Sequence, residues 1–284
     1  MKIFLVGHSV VDMIIHKDGS RQDELKPGGL WHSVNGILPL LSQEDSLFTV
    51  TMVSDESMKV YGRNYETVSQ EYFFRQSQVP QVTLTLLNNR ERLEEYTNLQ
   101  EKLPIGSVPF EGADGIFINM ITGFDISAED LGGIRNRTGA VLYLDIHSLA
   151  RGVAEGYSRP LTKIKNPEQW LKNLDVVQCN EAESRMIFDE TDEQSLAGRV
   201  LACGPEVFII TKGSRGARAY YRQRGETASV FISGIPVSVT TEVGCGDVFG
   251  SAFFYYYCKT KDVTRSLKKA VSHSAKFVET GFGL

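Results

Sequence analysis

Long apolar runs are missing from this 284-residue chain, and the absence carries information. A helix that crosses a bilayer needs about 18 or more consecutive apolar residues. The longest candidate, Val248–Cys258, falls short and is interrupted by Gly250 and Ser251. Cysteine is also scarce: Cys179, Cys203, Cys245 and Cys258 show no C-x-x-C spacing, which points away from a zinc site and from a disulfide framework. No pair among His8, His16, His32, His147 and His273 has metal-ligand spacing. Basic clusters are lacking too. Thirty Lys plus Arg stand against thirty-five Asp plus Glu, a net charge of −5, and neutralising the phosphates of a duplex needs a basic face. Nucleic acid and membrane are therefore not expected partners. The opening MKIFLVGHSVVD is too short and too polar for a secretory leader. A soluble protein of a reducing compartment, the cytoplasm, is expected.

With 42% hydrophobic and 23% charged residues the composition is that of an ordinary globular protein. Short runs rich in β-branched residues recur at Ile3–Val6, Phe48–Val53, Gly115–Asn119, Val141–Asp145, Asp175–Cys179 and Val207–Thr211. They are apolar on successive positions, as strands covered on both faces must be. Between them lie stripes of helical spacing, such as Val34, Ile37, Leu38 and Leu41, or Leu196, Val200 and Leu201. Strands alternating with helices predict a three-layer α/β/α core around a mostly parallel sheet. Two stretches break the rhythm. Met13–Pro27 carries Asp18-Gly19, a hairpin signal, and Val82–Tyr96 alternates on both sides of Asn88-Asn89. Both read as antiparallel strands inserted into the α/β chain as a small lid or partner-binding sheet. The division expected is a core of residues 1–12, 28–81 and 97–284 with a β lid of 13–27 and 82–96.

The C-terminal part is the most informative. Val243-Gly244-Cys245-Gly246-Asp247 leads into Val248–Cys258, which is apolar nearly all round, so that helix must be buried and its start held rigidly. The first N–H groups of a helix lack internal partners and carry the positive end of the macrodipole. A Gly-x-Gly turn feeding such a start suits a phosphate or a developing negative charge. Cys245 reads as a small apolar filler between the glycines. Two further strand ends have matching chemistry. Asn180 and Glu183, three apart after Asp175–Cys179, offer oxygens that suit Mg²⁺, usually through water. Thr211-Lys212-Gly213-Ser214-Arg215-Gly216 joins two glycines and two cations at another. Ligands of open α/β sheets bind at such carboxyl ends. Asp12, Gly28 and Gly29 add a polar mouth suited to hydroxyl groups.

Together these residues resemble the ribokinase-type, or phosphofructokinase-B, family of sugar kinases over nearly the whole chain. Val6-Gly7 with Asp12 and then Gly28-Gly29 looks like the family's substrate signature, and Val53-Ser54-Asp55 with Gly62 like its next strand–helix unit. Asn180 with Glu183 matches its Asn-x-x-Glu motif. Thr211, Gly213 and Gly216 match its nucleotide turn, and Gly244, Gly246 and Asp247 match its Gly-Ala-Gly-Asp core. The resemblance implies ATP-dependent phosphorylation of a sugar or nucleoside hydroxyl, usually a primary alcohol. Asp247 would be the base, the Gly244–Gly246 amides the anion hole, and Asp12, Gly28, Gly29 and Ser33 the acceptor site. Asn180, Glu183, Thr211, Lys212, Gly213 and Gly216 would serve ATP, with Glu183 on Mg²⁺. The family's lid often pairs between subunits, which implies a homodimer through that sheet.

Several positions depart from the pattern. Thr241 stands where the family has a leading Asp, Glu242 is an added carboxylate, and Ser33 replaces the usual Asn of the sugar site. These changes keep open a noncatalytic sugar- or nucleotide-binding relative. A dinucleotide-dependent oxidoreductase is disfavoured, because Gly7-His8-Ser9-Val10 is not a G-x-G-x-x-G turn.

Overall fold

The computed structural model describes residues 1–22, 24–87, 93–99, 101–154, 156 and 158–283. Strands β1 (Lys2–Val6), β2 (Ser9–Ile15) and β3 (Lys26–Gly29) precede α1 (Leu30–Ile37). Next come β4 (Ser46–Val53), α2 (Asp55–Tyr61), α3 (Arg63–Glu66), β5 (Phe73–Arg75), β6 (Gln81–Thr85) and β7 (Leu93–Thr97). The second half runs β8 (Gly115–Asn119), α4 (Ala128–Arg137), β9 (Val141–Asp145), α5 (Pro167–Leu171), β10 (Val176–Asn180), α6 (Glu181–Ser184) and α7 (Glu193–Ala202). It ends with β11 (Val207–Thr211), β12 (Gly216–Gln223), β13 (Glu226–Ser233), α8 (Cys245–Thr260) and α9 (Val263–Thr280).

The main sheet has nine strands in the order β13-β12-β11-β10-β9-β8-β1-β4-β5. Its pairings are parallel from β5 to β11, and β12 runs against both of its neighbours. The period-two geometry of a strand sends successive side chains to opposite faces. Ile116, Ile118, Leu142 and Leu144 therefore join one core layer with Leu131, Ile134 and Val200, from α4 and α7. Phe117, Val141 and Tyr143 join the other with α1, α8 and α9, through Val34, Phe253 and Leu267. This double burial is why the strands read as unbroken apolar runs. The three-layer α/β/α class with a mostly parallel sheet is what the molecule shows.

The small sheet is four-stranded, in the order β3-β2-β6-β7. It departs from the sequence reading in two ways. First, the two inserted stretches form one small sheet as expected, but β2 pairs β6 in parallel where antiparallel strands were expected, with Val11 opposite Gln81 and Ile15 opposite Thr85. Second, it takes in Ser9–Asp12 and Gly28–Gly29, placed in the core by the sequence division. Gly28-Gly29 ends β3, and α1 starts directly after it at Leu30. The expected Asn88-Asn89 turn lies outside the described residues. Val10, Val82, Leu84 and Tyr96 of this sheet pack on Ile121, just beyond β8, with Val243 against them. The sheet thereby sits over the carboxyl ends of the main strands and the start of α8. Among the described residues no helix is long and apolar enough to cross a membrane.

Candidate active site

Strand order in the main sheet reverses at β1, whose neighbours are β4 and β8, and ligands of open sheets gather beside such a switch. Asn119 ends β8 at that place. It is fully buried, and its Nδ2 donates to Asp247 Oδ1 at 2.6 Å and to Ser33 Oγ at 3.2 Å. Asp247 stands in the first turn of α8 and is 8% exposed. The helix begins at Gly244, whose φ of 83° is left-handed, and no side chain caps it. A methyl group added to Gly244 would lie 2.3 Å from His32 Nδ1, so the turn must be glycine on both grounds.

Two cavities meet at this helix start. A cleft of about 230 Å³ is lined by Asp145, Gln178, Asn180, Glu183, Thr211 and residues 242–247, with Lys17 and Arg151 as its cations. A small chamber of about 20 Å³ lies under the small sheet, between Asp12, Gly29, His32, Glu94, Tyr96, Ile121 and His147. Val243, Gly244 and Asp247 line both. One carboxylate thus stands at the junction between the two cavities.

Carboxylates crowd the cleft. Asp145, at the end of β9, accepts from Gln178 Nε2 at 2.7 Å, and the same amide reaches Gly246 O at 3.2 Å. Burial, then the charges of Glu183 and Asp247, push the Asp145 carboxyl well above its ordinary range. Asn180 and Glu183 form a reciprocal capping box. Asn180 Oδ1 accepts the Ala182 and Glu183 N–H groups, and Glu183 Oε2 accepts that of Asn180. The Asn-x-x-Glu spacing therefore builds the helix start first and presents Glu183 to the cleft second.

The remaining residues singled out in the sequence divide. Thr211 and Cys245 line the cleft; Lys212, Gly213 and Gly216 do not. Lys212 is held by Glu181 at 3.2 Å and by Glu193, and Arg215 by Glu181. Gly216 is required by packing, since a side chain there would overlap Ile232 O of β13. Asp12 is buried with its carboxylate against Gly28, where a Cβ would come within 2.2 Å of Oδ2. Ser33 lies behind Asn119 and lines neither cavity. Trp31 donates to Tyr61 O at 2.9 Å and is core. Glu242 is half exposed and paired with Lys17 at 3.2 Å, which joins the segment before α8 to the β2–β3 turn. His8, buried against Asp125 at 2.9 Å, is structural. Asn119 and Gln178 carry no motif. Their one signal is a polar residue at or near the end of an otherwise apolar strand.

Residues 147–281 match the pfkB family of carbohydrate kinases. No curated protein matches the chain. Among solved structures, a pyrophosphate-dependent kinase in the ribokinase family, complexed with a pyrophosphate analogue and myo-inositol, superposes with a TM-score of 0.78. It is 16% identical, over 98% of this chain and 95% of that one. Arabidopsis thaliana ribokinase complexed with ribose and ATP gives 0.74 at 16% identity over 97% and 92%. The Methanocaldococcus jannaschii nucleoside kinase gives 0.68 at 16% identity over 98% and 91%. The chain thus has a ribokinase-like fold, and its second half is similar to the pfkB family. That region includes Asn180, Glu183, Thr211 and Gly244–Asp247; Asp12, Gly28, Gly29 and Ser33 precede it.

Proposed function

We propose that the protein transfers the γ-phosphate of ATP to a hydroxyl, a primary alcohol by family resemblance, of a sugar or nucleoside. The observation that carries this reading is the position of Asp247, which lines the cleft and the small chamber at once. In the chamber, Asp247 accepts the proton of the attacking hydroxyl. Asn119 aims it by donating to Oδ1 and leaves Oδ2 for that proton. The N–H groups of Gly244–Gly246 meet the charge that develops on the transferred phosphoryl group, at the positive end of a buried helix. Lys17 and Arg151 line the cleft, paired with Glu242 at 3.2 Å and Glu94 at 3.6 Å, and would hold the donor's phosphates by exchanging those carboxylates for them.

Among the described residues no three His, Cys, Asp or Glu side chains are placed to hold a metal directly. The cleft nevertheless fits Mg²⁺ held through water: Asp145 and Glu183 line it, and the repulsion that raises Asp145 is what a cation relieves. Bound there, Mg²⁺ supplies charge neutralisation for the donor phosphates.

The chamber's volume of about 20 Å³ accommodates little more than one water. A sugar enters only if the small sheet lifts, so strands β2, β3, β6 and β7 act as a lid that shuts water out during transfer. Pyrophosphate is the second donor to consider. Lys212 and Arg215, the cations of the β11 turn, are engaged by Glu181 and Glu193, which leaves fewer charges for a nucleotide. A screen of ATP and pyrophosphate against sugars, polyols and nucleosides, with Mg²⁺ present, tests the reading. Acceptor-dependent consumption of one donor supports it. Ligand-induced stabilisation without turnover on any acceptor favours the noncatalytic relative.

A further inference from the structure

His32 is the polar side chain of the chamber whose hydrogen bonds are unaccounted for. It is 6% exposed, and among the described residues neither Nδ1 nor Nε2 has a hydrogen-bond partner. Buried polar groups are almost always paired, so an orphan facing a cavity marks the place of a missing atom. The ring is held by the edges of Trp31 and Phe277, at centroid distances of 5.6 and 6.4 Å, and by Gly244, where no side chain fits. Such packing fixes the ring's orientation without consuming its polar atoms. Asp12 Oδ2 lies 3.9 Å from Nε2, too far for a hydrogen bond. An oxygen about 2.8 Å from both atoms fits between them, roughly 2 Å off the line that joins them.

The chamber's other polar groups say what that oxygen belongs to. Asp12, Glu94 and Asp247 contribute carboxylates, that of Glu94 paired with buried Arg151 at 3.6 Å, His32 and His147 contribute imidazoles, and no Lys or Arg is among the described residues that line the chamber. Carboxylates accept hydrogen bonds and repel anions. Val10, Val82, Leu84 and Ile121 form the remaining walls, which suit the carbon faces of a ring. We propose that His32 is a specificity-determining residue: it and Asp12 share one hydroxyl of an uncharged polyol while another hydroxyl of that polyol meets Asp247. Phosphorylated sugars and sugar acids are excluded by the same carboxylates. The assignment of this chamber to the acceptor rests on the kinase reading, but binding at His32 is measurable without any transfer.

The test is calorimetric titration of the donor-free protein with myo-inositol and D-ribose, with monodeoxy derivatives of each, and with ribose 5-phosphate. At least one parent polyol binds the wild type. His32→Leu weakens it about 10- to 100-fold, the worth of one or two lost hydrogen bonds at a buried polar group. His32→Gln, which keeps a donor and an acceptor on a smaller frame, weakens it about 3- to 10-fold and decides the matter if the Leu variant melts early. One monodeoxy derivative binds wild type and both variants alike, because the shared hydroxyl is already gone. Ribose 5-phosphate does not compete. Equal affinity of wild type and variants, the same loss for parent and every deoxy derivative, competition by the phosphate ester, or no polyol binding at all overturns the proposal. A polyol bound through His32 yet never phosphorylated contradicts the kinase reading alone; turnover indifferent to His32 contradicts this inference alone.

Discussion

Replacing Asp247 by Asn separates chemistry from architecture. The carboxamide has the carboxylate's size and, with its oxygen toward Asn119, still accepts the bond now measured at 2.6 Å. What it cannot do is take a proton. General-base catalysis contributes about 10²- to 10⁴-fold, so kcat falls by that factor, or about 3–5 kcal/mol of barrier. Stability moves the other way. Asp247 is one of the like charges, after burial and Glu183, that raise Asp145, and its neutralisation relieves part of that strain. The Asn variant therefore melts at or above the wild-type temperature while being nearly inactive, with the donor's KM little changed. Asp247→Ala is equally inactive but less stable, by about 1–3 kcal/mol, because Asn119 Nδ2 loses the nearer of its two buried acceptors and keeps only Ser33 Oγ. Initial rates in a coupled assay, paired with urea titrations of all three proteins, read both arms. An Asn variant within tenfold of wild-type kcat, or an activity loss that tracks unfolding, refutes the reasoning.

Other consequences follow from the same geometry. Asn119→Leu frees the Asp247 carboxylate to rotate, so kcat drops about 10- to 100-fold with donor KM nearly constant; a loss confined to KM contradicts the positioning role. Gly244→Ala forces a left-handed φ of 83° on a residue whose methyl strikes His32, so it lowers both stability and turnover, measured by melting and by initial rates; a silent substitution contradicts the described turn. Asn180→Ala removes the side-chain half of the capping box and costs about 1 kcal/mol in urea unfolding, while the Mg²⁺ requirement rises; unchanged stability counts against the box. Asp145 has a raised pKa in the folded state, so its folded form holds a proton that the unfolded form has released. Its contribution to stability therefore declines as pH climbs from the ordinary value near 3.8 toward the raised one, and Asp145→Asn abolishes that slope; parallel wild-type and variant stability–pH curves contradict the shift.

Much of the fold was legible because burial on both faces leaves a plain mark. The apolar runs at Ile3–Val6, Gly115–Asn119, Val141–Asp145 and Val207–Thr211 fall within the strands observed. The outer strands β12 and β13 escaped notice because β13 is half exposed and alternates, like many surface segments. The parallel pairing of β2 with β6 joins Val11 to Gln81, and no local pattern specifies a partner that distant. The helix start at Gly244–Asp247 was readable for a similar reason, since an all-round apolar helix must hold its N-terminus rigidly. The cations were not. Lys212 and Arg215 look ready for phosphate in the sequence, but Glu181 and Glu193, far along the chain, meet them in space. Asn180 and Glu183 illustrate a third case: the spacing suited to a metal is also the spacing of a capping box. Asn119 went unread because one Asn at a strand end looks like any other until the fold brings Asp247 to it.

The central claim is that a phosphoryl group passes across the start of α8 to a hydroxyl beside Asp247. Following a labelled terminal phosphate by ³¹P NMR, from ATP or from pyrophosphate, into an uncharged polyol tests it most directly. The account predicts a new phosphate monoester signal that grows in step with donor loss and fails to appear with Asp247→Asn. A polyol that stays unlabelled with both donors, or a monoester formed equally well without the carboxylate, contradicts it.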